Sequence, residues 1–310
     1  MTPISKPHPR DWALLMALGA IWGSSFMFIK IALVDLPPLT IAAGRIVVAA
    51  IILWGIAWLR GLSLPPFASM FGRLLLVALT GSLVPFFLIA WAERRIDSSM
   101  AAILMAFVPL STVVLATFMT DDERLNWLKV AGIVLGLSGV IALFGGIERS
   151  DLVADLVAEA ALLTAALCYA FSNLLARRLP PMPAIQTSTA VLAMSALMTV
   201  PLAALVDRPW ELRAGLASLA AVAMLGLAST AVGVLILFHL LERTGATFVS
   251  LNNYLVPMFG TLFGVFLLGE SVAPFTLAGL ALILSGVYLT GRTHGQRSSE
   301  RSTSHKTDPD

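Results

Sequence analysis

Ten runs of predominantly apolar residues, each closed by a short polar or proline-bearing break, fill the chain from Trp12 to Gly291. A helix needs about 20 apolar residues to cross a bilayer, so each run is predicted to be a membrane span. The spans fall at 12–33, 40–59, 74–92, 99–119 and 127–145, then at 155–176, 185–206, 217–240, 247–268 and 274–291. The predicted fold class is an all-α polytopic membrane protein with ten transmembrane helices. The first run is too long for a signal-peptide core and lacks a convincing cleavage site, so it is kept as a membrane helix.

The second five runs repeat the first five. Arg95, Pro109, Glu123, Gly132 and Gly139 follow one another by 14, 14, 9 and 7 residues, and Arg243, Pro257, Glu270, Gly279 and Gly286 by 14, 13, 9 and 7. Extended upstream, an offset of 147 residues pairs Trp22 with Tyr169, Ser25 with Ser172 and Lys30 with Arg177. Duplication inside an almost wholly apolar chain marks secondary transporters, whose binding site lies where the repeats meet. Five is odd, so the second copy must enter the membrane from the face opposite the first. This predicts two inverted five-helix repeats and alternating access to a central site.

With the amino terminus inside, thirteen Lys and Arg fall on the inner side and five on the outer: Arg94, Arg95, Arg149, Arg208 and Arg213. The excess predicts that both termini lie in the cytoplasm. Composition agrees: 58% of residues are hydrophobic and 12% charged, far below the roughly 25% charge of soluble domains, and mean hydropathy is +0.89. Net charge is +2, with the basic excess near the chain ends, so a nucleic-acid footprint has no support. Cys168 is the one cysteine, which excludes a disulfide or a cysteine metal site within a chain. Residues 292–310 are polar and aperiodic and read as a disordered cytoplasmic tail.

Polar residues inside the spans carry the candidate chemistry. Trp22, Ser25 and Phe26 lie at mid-span in the first helix, where they line a cavity or, with Gly23, allow close helix packing. Tyr169, Ser172 and Asn173 occupy the matched segment of the sixth, and an amide in hydrocarbon needs partners. Asn252, Asn253 and Tyr254 form the strongest polar interruption; neighbouring positions point about 100° apart, so at least one amide faces a cavity unless both bond to other helices. His239 is either a proton-coupling group or an interfacial residue. Pro109 and Pro257, at matched positions, are predicted to kink their helices as hinges, and Pro85, matched by Gly233, offers a further break.

Lys30 and Arg45 lie towards the outer ends of their helices, snorkelling to the interface or attracting a substrate carboxylate. Glu159 reads as a solvated residue at the outer mouth, or as a cation or proton site. Glu123 and Glu270 read as helix caps. No catalytic cluster, metal site or cofactor is expected.

Trp22–Lys30 (WGSSFMFIK), Gly44–Ala50 (GRIVVAA), Asp122–Val140, Leu241–Pro257 (LERTGATFVSLNNYLVP) and Leu267–Glu270 (LLGE) resemble the EamA repeat of the drug/metabolite transporter superfamily. The likeness covers residues 12–145 and 155–291 as two EamA-like repeats. It implies a ten-helix inner-membrane carrier with inverted repeats around a central cavity, similar in plan to YddG-like amino-acid exporters. The family's helix-one Trp, helix-two Arg and paired prolines map onto Trp22, Arg45, Pro109 and Pro257, whereas Tyr169 and the residue matching Arg45 depart in the second copy.

The function read from the sequence is export, or facilitated diffusion, of amino acids or related small metabolites. Proton coupling and oligomeric state, monomer or dimer, stay open. A multidrug or nucleotide-sugar carrier of the same fold is the first rival, and phosphates would demand a more basic cavity. An intramembrane enzyme or a channel has no supporting motif.

Overall fold

The computed structural model describes residues 7–62, 67–119, 126–144 and 152–304. Among them the chain is helical: α1 Pro9–Ala32, α2 Pro38–Leu59, α3 Met70–Ala92, α4 Ser98–Met119, α5 Trp127–Phe144, α6 Leu152–Ala176, α7 Ala184–Val206, α8 Leu216–Thr244, α9 Asn252–Leu268 and α10 Pro274–Ser304. Seven of these (α1–α4 and α6–α8) are long and apolar enough to cross a membrane, while α5, α9 and α10 supply shorter apolar stretches. The chain is a multi-pass membrane protein. The backbone of α10 is helical to Ser304, beyond residue 291 where the polar tail begins in the sequence reading.

Many large apolar side chains point outward, among them Trp54, Trp58, Phe118, Leu137 and Phe266. A helix apolar on every side suits hydrocarbon, because lipid takes the face that the bundle does not cover. Inside, the largest cluster is built from Ile29, Ile89, Ile103, Leu104, Leu110, Leu143 and Leu162, drawn from α1 and α3 to α6.

Helix contacts respect the duplication. α1 packs on α8 and α9, and its counterpart α6 packs on α3 and α4; α2 meets α7, α4 meets α9, and α5 meets α10. The α5–α10 seam runs on glycine: a methyl at Gly132 would lie 2.6 Å from the Gly286 carbonyl, and one at Gly139 would lie 2.7 Å from the Gly279 carbonyl. Small residues let the two backbones touch. The pairing is crossed, since Gly132 matches Gly279 and Gly139 matches Gly286 in the repeat.

Four helices are interrupted. A π-helical turn, Leu79–Leu83, precedes Pro85 in α3, and another, Leu225–Val232, precedes Gly233 in α8. Only one copy holds a proline, yet both keep the wide turn. In α4 the helix breaks between Met105 and Val108, because Pro109 has no amide for the Met105 carbonyl. In α9 the break falls at Ser250–Leu251, after the short Ala246–Val249 helix, and α9 runs on through Pro257. The two matched prolines differ in setting: Pro109 directly follows the interruption, whereas Pro257 sits inside a continuous helix, more than a turn beyond it.

Carboxylates from distant segments tie down three helix starts whose amides have no intrahelical partner. Asp207 accepts from the Thr40 amide and hydroxyl, both at 2.8 Å, at the head of α2. Asp35 accepts from the Gly215 amide at 2.9 Å and the Ser218 hydroxyl at 2.7 Å at the head of α8. Glu270 accepts from the Ser98 and Ser99 amides at 2.8 and 2.9 Å at the head of α4. Glu270 is thus a cap, but of a helix in the other repeat; Glu123 lies outside the described residues. Burial pushes the Glu270 carboxyl up, and the hydrogen bonds from Ser98 and Ser99 outweigh it, leaving the group below the ordinary range. At the opposite end of the bundle Arg243 Nε lies 3.0 Å from Asp11, joining α8 to α1.

Candidate functional site

A cavity of about 390 Å³ opens where the two repeats meet. Its wall is formed by Trp22, Ser25, Phe26 and Ile29 of α1, Arg45 of α2, Gly81, Phe86 and Ile89 of α3, and Met105, Ala106 and Val108 of α4. Tyr169, Ser172 and Asn173 of α6, Ser229, Thr230, Val234 and Leu237 of α8, and Asn252, Asn253, Val256 and Pro257 of α9 complete it. Both π-turns and the α4 interruption contribute to the wall.

The interruptions explain which polar groups are available. Trp22 donates its indole N–H to the Ser229 carbonyl at 3.0 Å, inside the α8 π-turn. Gly233 makes room for that ring, since a methyl there would strike the indole nitrogen. Ser25 donates back to the Trp22 carbonyl at 2.6 Å, and Ser172 donates to the Val77 carbonyl at 3.2 Å, on the turn leading into the α3 π-segment. These hydroxyl protons serve helix geometry. Asn252 is buried, and its Oδ1 has no hydrogen-bond partner.

Arg45 is the one charged side chain on the wall among the described residues. It is 8% exposed; Nε donates to the Thr230 hydroxyl at 2.8 Å, and the guanidinium lies 3.9 Å from the centre of the Phe86 ring. Thr230 passes its own proton to the Leu225 carbonyl at 2.9 Å, which turns its oxygen towards Arg45. Phe86 in turn meets Tyr169 edge-on, ring centres 6.5 Å apart. The result is an aromatic chamber with a single fixed cation.

Of the ten cavity candidates, Trp22, Ser25, Phe26, Tyr169, Ser172, Asn173, Asn252 and Asn253 lie on this wall, and two do not. His239 is on the exposed side of α8, because Leu237 takes the cavity side and Leu240 the core. Tyr254 packs against the main apolar cluster. Pro257 is on the wall; Pro109 and Pro85 are not.

The three mouth charges are placed differently from the sequence reading. Arg45 is two turns inside α2, which starts at Pro38, and so lies deep in the wall rather than at a rim. Glu159 is 2% exposed with Oε2 unpartnered, not solvated, because Ala158 and Leu162 carry that stretch of α6 into the core. Lys30 is taken up by backbone: Nζ donates to the Glu93 carbonyl at 2.6 Å and the Ile96 carbonyl at 2.7 Å, pinning α1 to the α3–α4 turn.

The profile of the EamA-like transporter family matches residues 11–145 and again 156–292. The chain belongs to that family. It is similar to a probable terminal-alkyne amino-acid exporter of Streptantibioticus cattleyicolor, 28% identical over 94% of this chain and 96% of the relative. The uncharacterized inner membrane transporter YedA of Escherichia coli K12 is 28% identical over 89% of this chain and 88% of its own. An S-adenosylmethionine/S-adenosylhomocysteine transporter of Chlamydia trachomatis serovar L2 is 28% identical over 93% and 91%. A solved crystal structure superposes with a TM-score of 0.64 over 91% of this chain and 96% of that one, at 18% identity, a likeness of fold alone.

For a membrane transporter of the EamA-like family the wall holds residues that the sequence reading passed over. Ser229 and Thr230 were legible as a polar pair inside an apolar run; Phe86 and Ile89 were not, since an apolar residue carries no sign of which side it faces. Among the described residues no three His, Cys, Asp or Glu side chains gather to hold a metal ion.

Proposed function

We propose that this EamA-like transporter exports, or lets diffuse, amino acids or closely related carboxylate-bearing metabolites across the cytoplasmic membrane, by alternating access between two inverted halves. Arg45 carries the reading. A lone guanidinium on an otherwise neutral, mostly apolar and aromatic wall suits one carboxylate attached to an apolar body. Cationic drugs would meet an uncompensated positive charge, which disfavours the multidrug alternative. Two relatives bear names that point to amino-acid compounds: an amino-acid exporter and a carrier of S-adenosyl amino acids.

The crossed glycine seam supports inversion, because residue 132 meeting the partner of 139, and 139 the partner of 132, is what a two-fold axis perpendicular to both helices produces. The basic excess on one side supports cytoplasmic termini.

Counterflow in liposomes tests the substrate. Purified protein should exchange labelled amino acids, and Arg45→Gln should reduce exchange at low substrate concentration by about tenfold or more, the loss of one charge-assisted hydrogen bond of about 1.5–3 kcal/mol. Transport of other metabolites with no movement of any amino acid would overturn the assignment.

A further inference from the structure

The two repeats use a matched pair of cations differently. Lys30, near the end of α1, donates to the Glu93 and Ile96 carbonyls where α3 ends, at 2.6 and 2.7 Å. Its match is Arg177, directly after α6, and the offset that pairs Arg95 with Arg243 pairs the two carbonyls with those of Leu241 and Thr244, where α8 ends. Carbonyls at the end of a helix lack intrahelical donors and favour a cation at both places. Yet Arg177 is exposed, and among the described residues its side chain has no hydrogen bond or ion pair.

The chamber follows the same asymmetry. Phe26, one turn before Lys30, is 5% exposed, whereas its match Asn173, one turn before Arg177, is exposed; both are on the wall. α1 packs on the first half of α4, Ser98–Met105, and among the described residues α6 has no comparable packing on the start of α9. Glu270 ties the α9–α10 turn to the head of α4 on the closed side as well. The chamber is shut at the face where α1 ends and open at the face where α6 ends. In this conformation the cation after α6 has no task.

We infer that Lys30 and Arg177 are alternating gate clamps. Lys30 holds the chamber shut at the first face; when the halves rock, it leaves the α3–α4 turn, and Arg177 takes the matching carbonyls of the α8–α9 turn and shuts the second. Replacing one cation–carbonyl clamp by another keeps the two conformations close in free energy, as a carrier that visits both requires. The inference deepens the proposed function: it rests on alternating access between inverted halves and not on which solute is carried.

Thiol labelling of the full chain in membrane vesicles tests the exchange without any solute. In a Cys168→Ser background, Phe26→Cys reports the chamber from the face where α1 ends and Asn173→Cys reports it from the other, each with a membrane-impermeant methanethiosulfonate. Asn173→Cys should react fast and Phe26→Cys slowly. Lys30→Met should speed Phe26→Cys labelling by about tenfold or more, the size expected for charge-assisted hydrogen bonds, and Lys30→Arg should keep it slow. Arg177→Met removes no contact among the described residues, yet it should slow the same labelling by a similar factor, because the other conformation loses its clamp. A rate indifferent to Arg177→Met, or raised by it, overturns the inference even where Lys30→Met does not fold. Phe26→Cys that never reacts from its own face, in any variant, sinks alternating access together with the clamps. Labelling that responds as expected, without counterflow of any amino acid, supports the clamps and sinks the substrate reading alone.

Discussion

At the scale of single residues, polar groups in this bundle divide into those consumed by helix geometry and those left for a ligand. Ser25 and Ser172 spend their protons on nearby carbonyls, whereas Arg45 is held by one hydroxyl and one aromatic face and still looks into the cavity. Glu270 belongs to the first group. Replacing it with alanine should lower the stability of the detergent-solubilised protein by about 0.5–2 kcal/mol, the usual value of a helix cap, read as a drop in melting temperature. The hydrogen bonds hold its carboxyl below the ordinary range, so this stabilisation is present above the unfolded-state value and lost as pH falls through the folded one. A melting difference between wild type and variant that grows on acidification would refute the assignment. The capping chemistry was legible from the residue type, but the partner was not, because Ser98 lies 172 residues away in the chain.

At the scale of helices, the α5–α10 seam and the interrupted segments do different work. Gly139→Val would press a side chain on the Gly279 carbonyl and the Ile283 amide nitrogen, at 2.7 and 2.9 Å from the first added carbon. Backbone on both sides leaves little room to yield, so destabilisation of about 1–3 kcal/mol is expected. Gly55→Ala is the control, with nothing within 4 Å of the added carbon. It should stabilise α2 by up to about 1 kcal/mol through helix propensity alone. Equal melting temperatures for the two variants would contradict the packing account. The sequence marked both glycine series through their spacing and marked the prolines as sites of weakness. It did not reveal that the π-turn survives in the copy with glycine at 233, or that Pro257 sits in an unbroken helix, because a proline removes a bond without dictating where neighbouring helices let the backbone relax.

At the scale of the whole molecule, the proposed alternating access depends on an inversion of the two repeats. Arg60 follows α2, and Arg208 lies just past α7, the matching helix of the second copy. In a chain lacking Cys168, single cysteines at these positions should label from opposite sides of the membrane, Arg208→Cys from outside and Arg60→Cys only after permeabilisation. Labelling of both from one side would end the inverted-repeat reading. The apolar character of the spans, the duplication and the distribution of basic charge along the chain are local or additive properties, set by the transfer of apolar residues into lipid and by spacing along the sequence, so residues alone suffice to read them. Which face of each span looks inward is not additive. Arg45 became a cavity wall residue, Glu159 a buried carboxyl and His239 an exposed one only when packing against other helices chose a side, because in a span apolar all round the lipid itself expresses no preference.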